Sequence, residues 1–172
     1  MQVLVSDTSI LVDLERGSLL QAAFALPSCS FAVPDLLYER ELKDHGGTEL
    51  LELGLRVEAL SDEGVVEAGG YRRAKPFLSV PDSFALALAR ANGWVLLTGD
   101  GLLRDLAGSH AVECHGVLWM LDRMVAEAAA TAQAAHAGLS AIAAHPRCRL
   151  PKKEITRRLT RYAAAATRTS QP

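Results

Sequence analysis

Aromatic residues are scarce in this chain of 172 amino acids, with Phe, Trp and Tyr together making up 5%. A core must therefore be built mainly from Leu, Val, Ile and Ala. Apolar residues make up 49% of the chain, which suits a globular protein and excludes a disordered or fibrous one. Cysteine is equally sparse. Cys29, Cys114 and Cys148 are an odd number at wide spacing with no CxxC, so neither a disulfide framework nor a zinc site is read from them. The adjacent Cys114-His115 pair is read as a small core residue beside a histidine. No apolar run approaches the roughly 18 residues needed to cross a bilayer, so no membrane partner is expected. The amino terminus enters a strand-like run, Val3-Leu4-Val5, without a basic region or a cleavage site. No secretion signal is read there, and the expected compartment is the cytoplasm.

A net charge of −2 hides a strong asymmetry. Residues 1–146 carry 10 Lys/Arg against 19 Asp/Glu, whereas residues 147–172 carry 8 against the single Glu154. The chain is acidic over most of its length and basic at its carboxyl end. A length of 172 residues accommodates one ordinary domain or a domain with an appendage.

Short apolar runs at Val3 to Val5, Phe31 to Val33, Arg56 to Ala59, Trp94 to Thr98 and Ala111 to Glu113 predict strands. The stretches between them, Ile10 to Phe24, Asp35 to Lys43, Gly64 to Arg73, Asp82 to Ala91 and Leu102 to Ala107, follow helical periodicity. Such alternation predicts an α/β fold with a mainly parallel sheet. Beyond Gly116 the pattern is helical only: Val117, Leu118, Leu121 and Val125 at core spacing, then an alanine-rich run from Ala126 to Ala144. Pro146 ends that run. A second, short helix is predicted from Leu150-Pro151, with Ile155, Leu159 and Tyr162 on one face, and residues 163–172 are expected to be frayed. The expected organisation is a domain over 1–125 and a helical extension over 126–172.

The placement of the acids carries the chemistry. Asp7 and Asp100 directly follow predicted strands, and Asp82 and Glu39 stand near the starts of predicted helices. In open parallel sheets all four positions face the carboxyl edge of the strands, where ligands collect. Carboxylates gathered without Lys or Arg repel one another, and a hard divalent cation, Mg²⁺ or Mn²⁺, relieves that repulsion. Such a cation also neutralises charge that builds on a phosphoryl group during hydrolysis. Each acid has a plainer reading as well. Asp7 or Asp100 alone reads equally as a helix N-cap, and Asp82 as a complement to a helix dipole.

Four segments, Val-Ser-Asp7-Thr-Ser-Ile-Leu-Val-Asp, Val-Pro-Asp-Leu-Leu-Tyr-Glu39, Pro-Asp82-Ser-Phe-Ala-Leu-Ala-Leu-Ala and Leu-Leu-Thr98-Gly-Asp100, resemble in order the acidic motifs of the PIN-domain family. The resemblance covers about residues 2–125. It implies a PIN-like three-layer α/β fold with a parallel central sheet flanked by helices. It further implies a metal-dependent endoribonuclease, many relatives being the toxin half of toxin–antitoxin pairs. Carried over residue by residue, Asp7, Glu39, Asp82 and Asp100 would hold one or two Mg²⁺ (or Mn²⁺) ions for hydrolysis of RNA phosphodiesters. RNA, an antitoxin protein and a second copy of the chain are the implied partners.

Three departures accompany the resemblance. Glu41 competes with Glu39 for the second acidic position, and on a helix only one of the two can line the cleft; Glu39 is preferred. Where many relatives carry a further acid this chain has Leu103, with Asp105 nearby, so the second metal is open. Thr8, Ser9 and Thr98 stand beside the acids, with helix capping or support of a carboxylate as their alternative roles. Asp13 and Asp35 are read as surface or capping acids, Asp122 on the late helix as solvated, and His110 and His115 as exposed or core-satisfied. No Ser-His-Asp arrangement or phosphate-cradling glycine loop is present. A phosphotransferase of the haloacid dehalogenase type needs a second acid two residues beyond Asp7, where Ser9 stands.

Lys152, Lys153, Arg157, Arg158 and Arg161 are candidates for salt-sensitive contacts with RNA phosphates. The competing reading is that Ile155, Leu159 and Tyr162 pack the tail while its charges stay solvated. A catalytically weak PIN-like module that binds RNA or protein is the alternative to the nuclease.

Overall fold

Gln2–Ser6, Cys29–Pro34, Arg56–Glu58, Val95–Leu97 and Cys114–His115 form strands β1 to β5 in a computed structural model that describes residues 1–169. All pair in parallel, in the order β3-β2-β1-β4-β5. β1 is central, its Leu4 lying opposite Phe31 on one side and Val95 on the other. A central parallel strand is covered on both faces, so both Leu4 and Val5 are fully buried and the strand reads as a continuous apolar run. The chain builds β2 and β3 on one side of β1, then crosses back to add β4 and β5 on the other. Strand order reverses between β1 and β4.

The residues form two compact units, one of Met1–Leu11 with Pro27–Gly116, the other of Val12–Leu26 with the chain from Val117 onward. In the first unit, helix α1 (Thr8–Arg16) begins directly after β1, and α3 (Asp35–Leu37) follows β2 and runs into a π-helical turn, Tyr38–Leu42. After these come α4 (Gly47–Glu52), α5 (Asp62–Ala74), α6 (Val80–Asn92) and α7 (Gly101–Ser109). Helix α6 packs on β1, β2 and β4 and against α5 and α7. Its run Ala85-Leu86-Ala87-Leu88-Ala89 is buried throughout. The alanines allow close approach to the sheet, and burying each leucine contributes about 1.5–3 kcal/mol. Ser79 caps the start of α6 by accepting the Asp82 N–H, and Pro81 lies in its first turn, where a missing N–H costs nothing. Gly93, at φ 64°, closes the other end in the left-handed conformation that favours glycine.

The second unit is helical: α2 (Leu20–Phe24), α8 (Val117–Ala126), α9 (Ala132–Ala144) and α10 (Lys152–Thr169). α9 packs against both α8 and α10. Gly138 of α9 meets the backbone of Gly17: a Cβ there would stand 2.9 Å from the Gly17 carbonyl oxygen and 2.4 Å from Leu19 Cδ1. α10 is fastened to α8 through Asp122, which accepts hydrogen bonds from Arg158 Nε (3.0 Å), Arg161 and the buried Tyr162 hydroxyl.

Several predicted elements are corrected. The helix drawn over Ile10 to Phe24 is two helices, because Ser18 adopts a positive φ of 54° between them. The alanine-rich run is likewise interrupted at Ala128 (φ 57°), and α9 restarts with Thr131 accepting the Ala134 N–H. Residues 163–169, expected to fray, continue α10 as regular helix, in keeping with alanine's propensity; residues 170–172 lie outside the described part. The strand predicted at Ala111 to Glu113 lies instead at Cys114–His115. Helix α4, between the predicted helix ending at Lys43 and the strand starting at Arg56, is an element that the periodicity does not predict. Among the described residues, no helix is long and apolar enough to cross a membrane.

Candidate active site

β1 ends at Ser6 and β4 at Leu97, so Asp7 and the Thr98-Gly99-Asp100 segment emerge side by side where strand order reverses. The Asp7 N–H still bonds the Leu97 carbonyl at 2.9 Å, extending the ladder by one step. In doubly wound sheets this carboxyl-edge crevice is the place for ligands.

Asp7 is 3% exposed, and three donors hold it. Ser9 Oγ (2.7 Å) and the Ile10 N–H (3.1 Å) donate to Oδ1, and Thr98 Oγ1 donates to Oδ2. Thr98 in turn accepts the Asp100 N–H at 2.9 Å, and Asp100 caps α7 by accepting the Leu103 N–H at 2.8 Å. Both strand-ending aspartates therefore cap helices, Asp7 at α1 and Asp100 at α7, from positions at the sheet edge. Asp82, in the first turn of α6, accepts from Ser79 Oγ at 2.6 Å.

The acids are electrostatically joined. Burial raises the Asp7 carboxyl above the ordinary carboxylate range against the pull of its three donors, and the charge of Asp82 adds to the rise. Asp82 is raised by burial too, against the Ser79 hydrogen bond, with Glu41 and Asp100 contributing repulsion. Among the described residues neither carboxylate is ion-paired with a Lys or Arg; the nearby Arg104 donates to the Thr98 carbonyl at 2.9 Å.

At the second acidic position the structure places the two candidate glutamates differently: Glu39 faces away from the edge acids. That side chain is 57% exposed and forms an ion pair with Lys43 at 2.7 Å. Glu41 is half-buried, accepts a hydrogen bond from Thr8 and is the acid that repels Asp82. The cause is the π-helical turn, in which the Lys43 N–H bonds the Tyr38 carbonyl five residues back. The wider turn sets side-chain directions that differ from those of 3.6 residues per turn.

Leu103 is buried in the core, and Asp105 is exposed on α7. Cys114 is half-buried in β5, and burial pushes its thiol up to about 11, which keeps it protonated. His110 packs against Tyr71 with ring centroids 4.8 Å apart, and His115 bonds Glu113 at 2.8 Å. Ser79 was not singled out from the sequence. Its signal was the spacing Ser79-Val80-Pro81-Asp82, a hydroxyl three residues before an acid at a helix start.

The donor set at this edge is all carboxylate and hydroxyl oxygen, which is the chemistry that suits a hard divalent cation. Among the described residues, no three His, Cys, Asp or Glu side chains already enclose a common point that could hold an ion. Asp82 is turned to Ser79 and Glu41 to Thr8.

A parallel sheet covered by helices, with a buried Asp7 and half-buried, mutually repelling carboxylates at its switch point, defines a class of α/β protein with an acidic edge site. Within that class the chain belongs to the PIN-domain family: the family model described as DUF3368, PIN domain, matches residues 3–163. Among solved structures, the chain is similar to a PilT N-terminus domain protein from the hyperthermophilic archaeon Sulfolobus solfataricus P2. Identity is 18%, the TM-score is 0.52, and the match covers 73% of this chain and 94% of that one. At that identity the likeness speaks for the fold. No curated protein matches. PIN domains are in general nucleases.

Proposed function

We propose that this protein is a Mg²⁺-dependent endoribonuclease that hydrolyses RNA phosphodiester bonds. The observation that supports it is the mutual repulsion that links Asp7, Asp82, Glu41 and Asp100 at the β1/β4 switch point, none of them ion-paired among the described residues. Asp7, Asp82, Asp100 and Glu41 are the residues that would hold a divalent ion. Such an ion supplies charge neutralisation at phosphate and a water of lowered pKa. The chain's own contribution is to fix the carboxylates: Thr98 and Ser9 orient Asp7, Thr8 orients Glu41, and Ser79 orients Asp82. Expected is cleavage of single-stranded RNA that rises with added Mg²⁺, stops with EDTA and is lost in Asp7→Asn, Asp82→Asn and Asp100→Asn. Cleavage that persists in all three variants would overturn the assignment.

Lys152, Lys153 and Arg157, exposed on α10, are proposed to contact RNA phosphates, Arg157 while also ion-paired with Glu154 at 3.6 Å. Arg158 and Arg161 are bound to Asp122 and serve α10 docking instead. Replacing the three exposed cations should weaken RNA binding at low salt and flatten its salt dependence. A role as the toxin of a toxin–antitoxin pair is part of the proposal. It requires a neighbouring gene whose product binds this chain and suppresses cleavage.

A second reading is a catalytically weak binding module. The favouring observation is that Asp82 and Glu41 are engaged by hydroxyls rather than converging with Asp7. Salt-dependent RNA binding without Mg²⁺-stimulated cutting would select it.

A further inference from the structure

The loop that leads into α6 carries a feature the acids do not explain. Phe77 is 95% exposed, in a chain with four phenylalanines. Single exposed apolar residues are ordinary on protein surfaces. This one, however, sits on an anchored backbone. The next residue, Leu78, is buried, its N–H bonds the Lys75 carbonyl at 2.9 Å, and its carbonyl accepts from Arg72 Nε at 3.3 Å. Two residues beyond Phe77, Ser79 caps α6 and donates to Asp82. The ring is thus presented to solvent within five residues of an acid of the edge site.

The surrounding charge is opposite in sign to the rest of that edge. From residue 68 to residue 81 the chain carries Arg72, Arg73 and Lys75 and no acid, although residues 1–146 as a whole hold nearly twice as many acids as bases. All three cations are exposed. A rigidly offered aromatic face flanked by cations, beside carboxylates suited to phosphodiester chemistry, matches the composition of single-strand nucleic-acid sites. There, bases stack on aromatic rings and phosphates meet Lys or Arg. A duplex hides its base faces and cannot use such a ring.

We propose that Phe77 is a substrate-binding residue that stacks on an unpaired base of RNA, with Lys75 and Arg73 meeting the adjoining phosphates. The inference rests on reading the carboxyl edge as a ribonuclease site, and it adds the requirement that the strand near the cut be single. Base stacking of this kind is worth about 5- to 150-fold in affinity by alanine substitution.

The test is fluorescence anisotropy with the full chain in EDTA, where binding is read without cutting. The probes are a labelled twelve-nucleotide oligouridylate and the same backbone made abasic. Phe77→Ala should weaken oligouridylate binding about 5- to 150-fold and leave the abasic strand unchanged, with Phe77→Trp retaining affinity. Equal binding by wild type and Phe77→Ala, or equal loss on both probes, overturns the proposal; the first result would assign the ring to protein contact. The outcome is independent of catalysis. Loss of stacking in Phe77→Ala in a protein that never cuts RNA would refute the nuclease and keep the base contact, whereas Mg²⁺-dependent cutting with unaltered Phe77→Ala affinity would do the reverse.

Discussion

Thr98 donates its hydroxyl to Asp7 across 91 residues of sequence, joining the ends of two neighbouring parallel strands. The same oxygen accepts the Asp100 N–H, so one fully buried side chain fixes two of the acids. Thr98→Val keeps the shape and removes both functions. It should cost about 1–3 kcal/mol in urea denaturation, as expected when buried polar groups lose their partner. Thr98→Ser should recover most of that. Equal stability of wild type and valine variant would show that the hydroxyl is not holding the pair.

Glu41 and Glu39 separate cleanly by assay. Glu41→Gln should reduce Mg²⁺-stimulated RNA cleavage by at least an order of magnitude, an effect of about 1.4 kcal/mol or more on the barrier. Glu39→Gln disturbs only an exposed ion pair with Lys43 and should leave the rate near that of wild type. The opposite ranking would return the second acidic position to Glu39.

Burial raises both Asp7 and Asp82, so their stability contribution has a definite sign. Between the ordinary carboxylate value and the raised folded value, the folded chain binds more protons than the unfolded one. Stability from these sites is therefore fully present in acid and is lost as pH rises through that window. In metal-free protein at neutral pH, Asp7→Asn should melt at or above wild type, because asparagine can still cap α1 and carries no charge to bury. That advantage should shrink on acidification. Mg²⁺ should raise the melting temperature of wild type more than that of the variant. A metal-free Asp7→Asn that melts well below wild type at every pH would mark the carboxylate as a purely structural cap.

Asp122 gathers Arg158, Arg161 and Tyr162 onto α8. Asp122→Ala leaves the Tyr162 hydroxyl, whose residue is 1% exposed, without this acceptor and should destabilise the fold by about 1–3 kcal/mol. Tyr162→Phe should cost less, since it removes the donor and keeps the packing. Thermal denaturation followed by helical circular dichroism checks both. An unchanged melting curve for Asp122→Ala would mean that α10 is held by its apolar face alone.

Much of this arrangement is written in local patterns. Asp7 and Asp100 are legible because an acid that ends an apolar β-run can only fall at the carboxyl edge, and Asp82 because Pro81 marks a helix start. The parallel sheet follows from alternation of strand and helix. What escaped depends on backbone detail. The π turn that sets Glu41 against Thr8 has no composition of its own, and short α4 hides behind two glycines. The breaks at Ser18 and Ala128 use positive φ at residues that rarely adopt it. Exposure of Phe77 is equally silent in one dimension, because phenylalanine is ordinarily counted toward the core.

The π turn at Tyr38–Leu42 carries one extra residue relative to an ordinary helical path. Excising one residue there would restore regular winding while leaving the chain on either side in phase, so only the side chains inside the turn would be re-aimed. The acid offered to the crevice would then change while the elements around it stay in place. Shortening the chain by one at this point therefore re-addresses the site without unseating the fold.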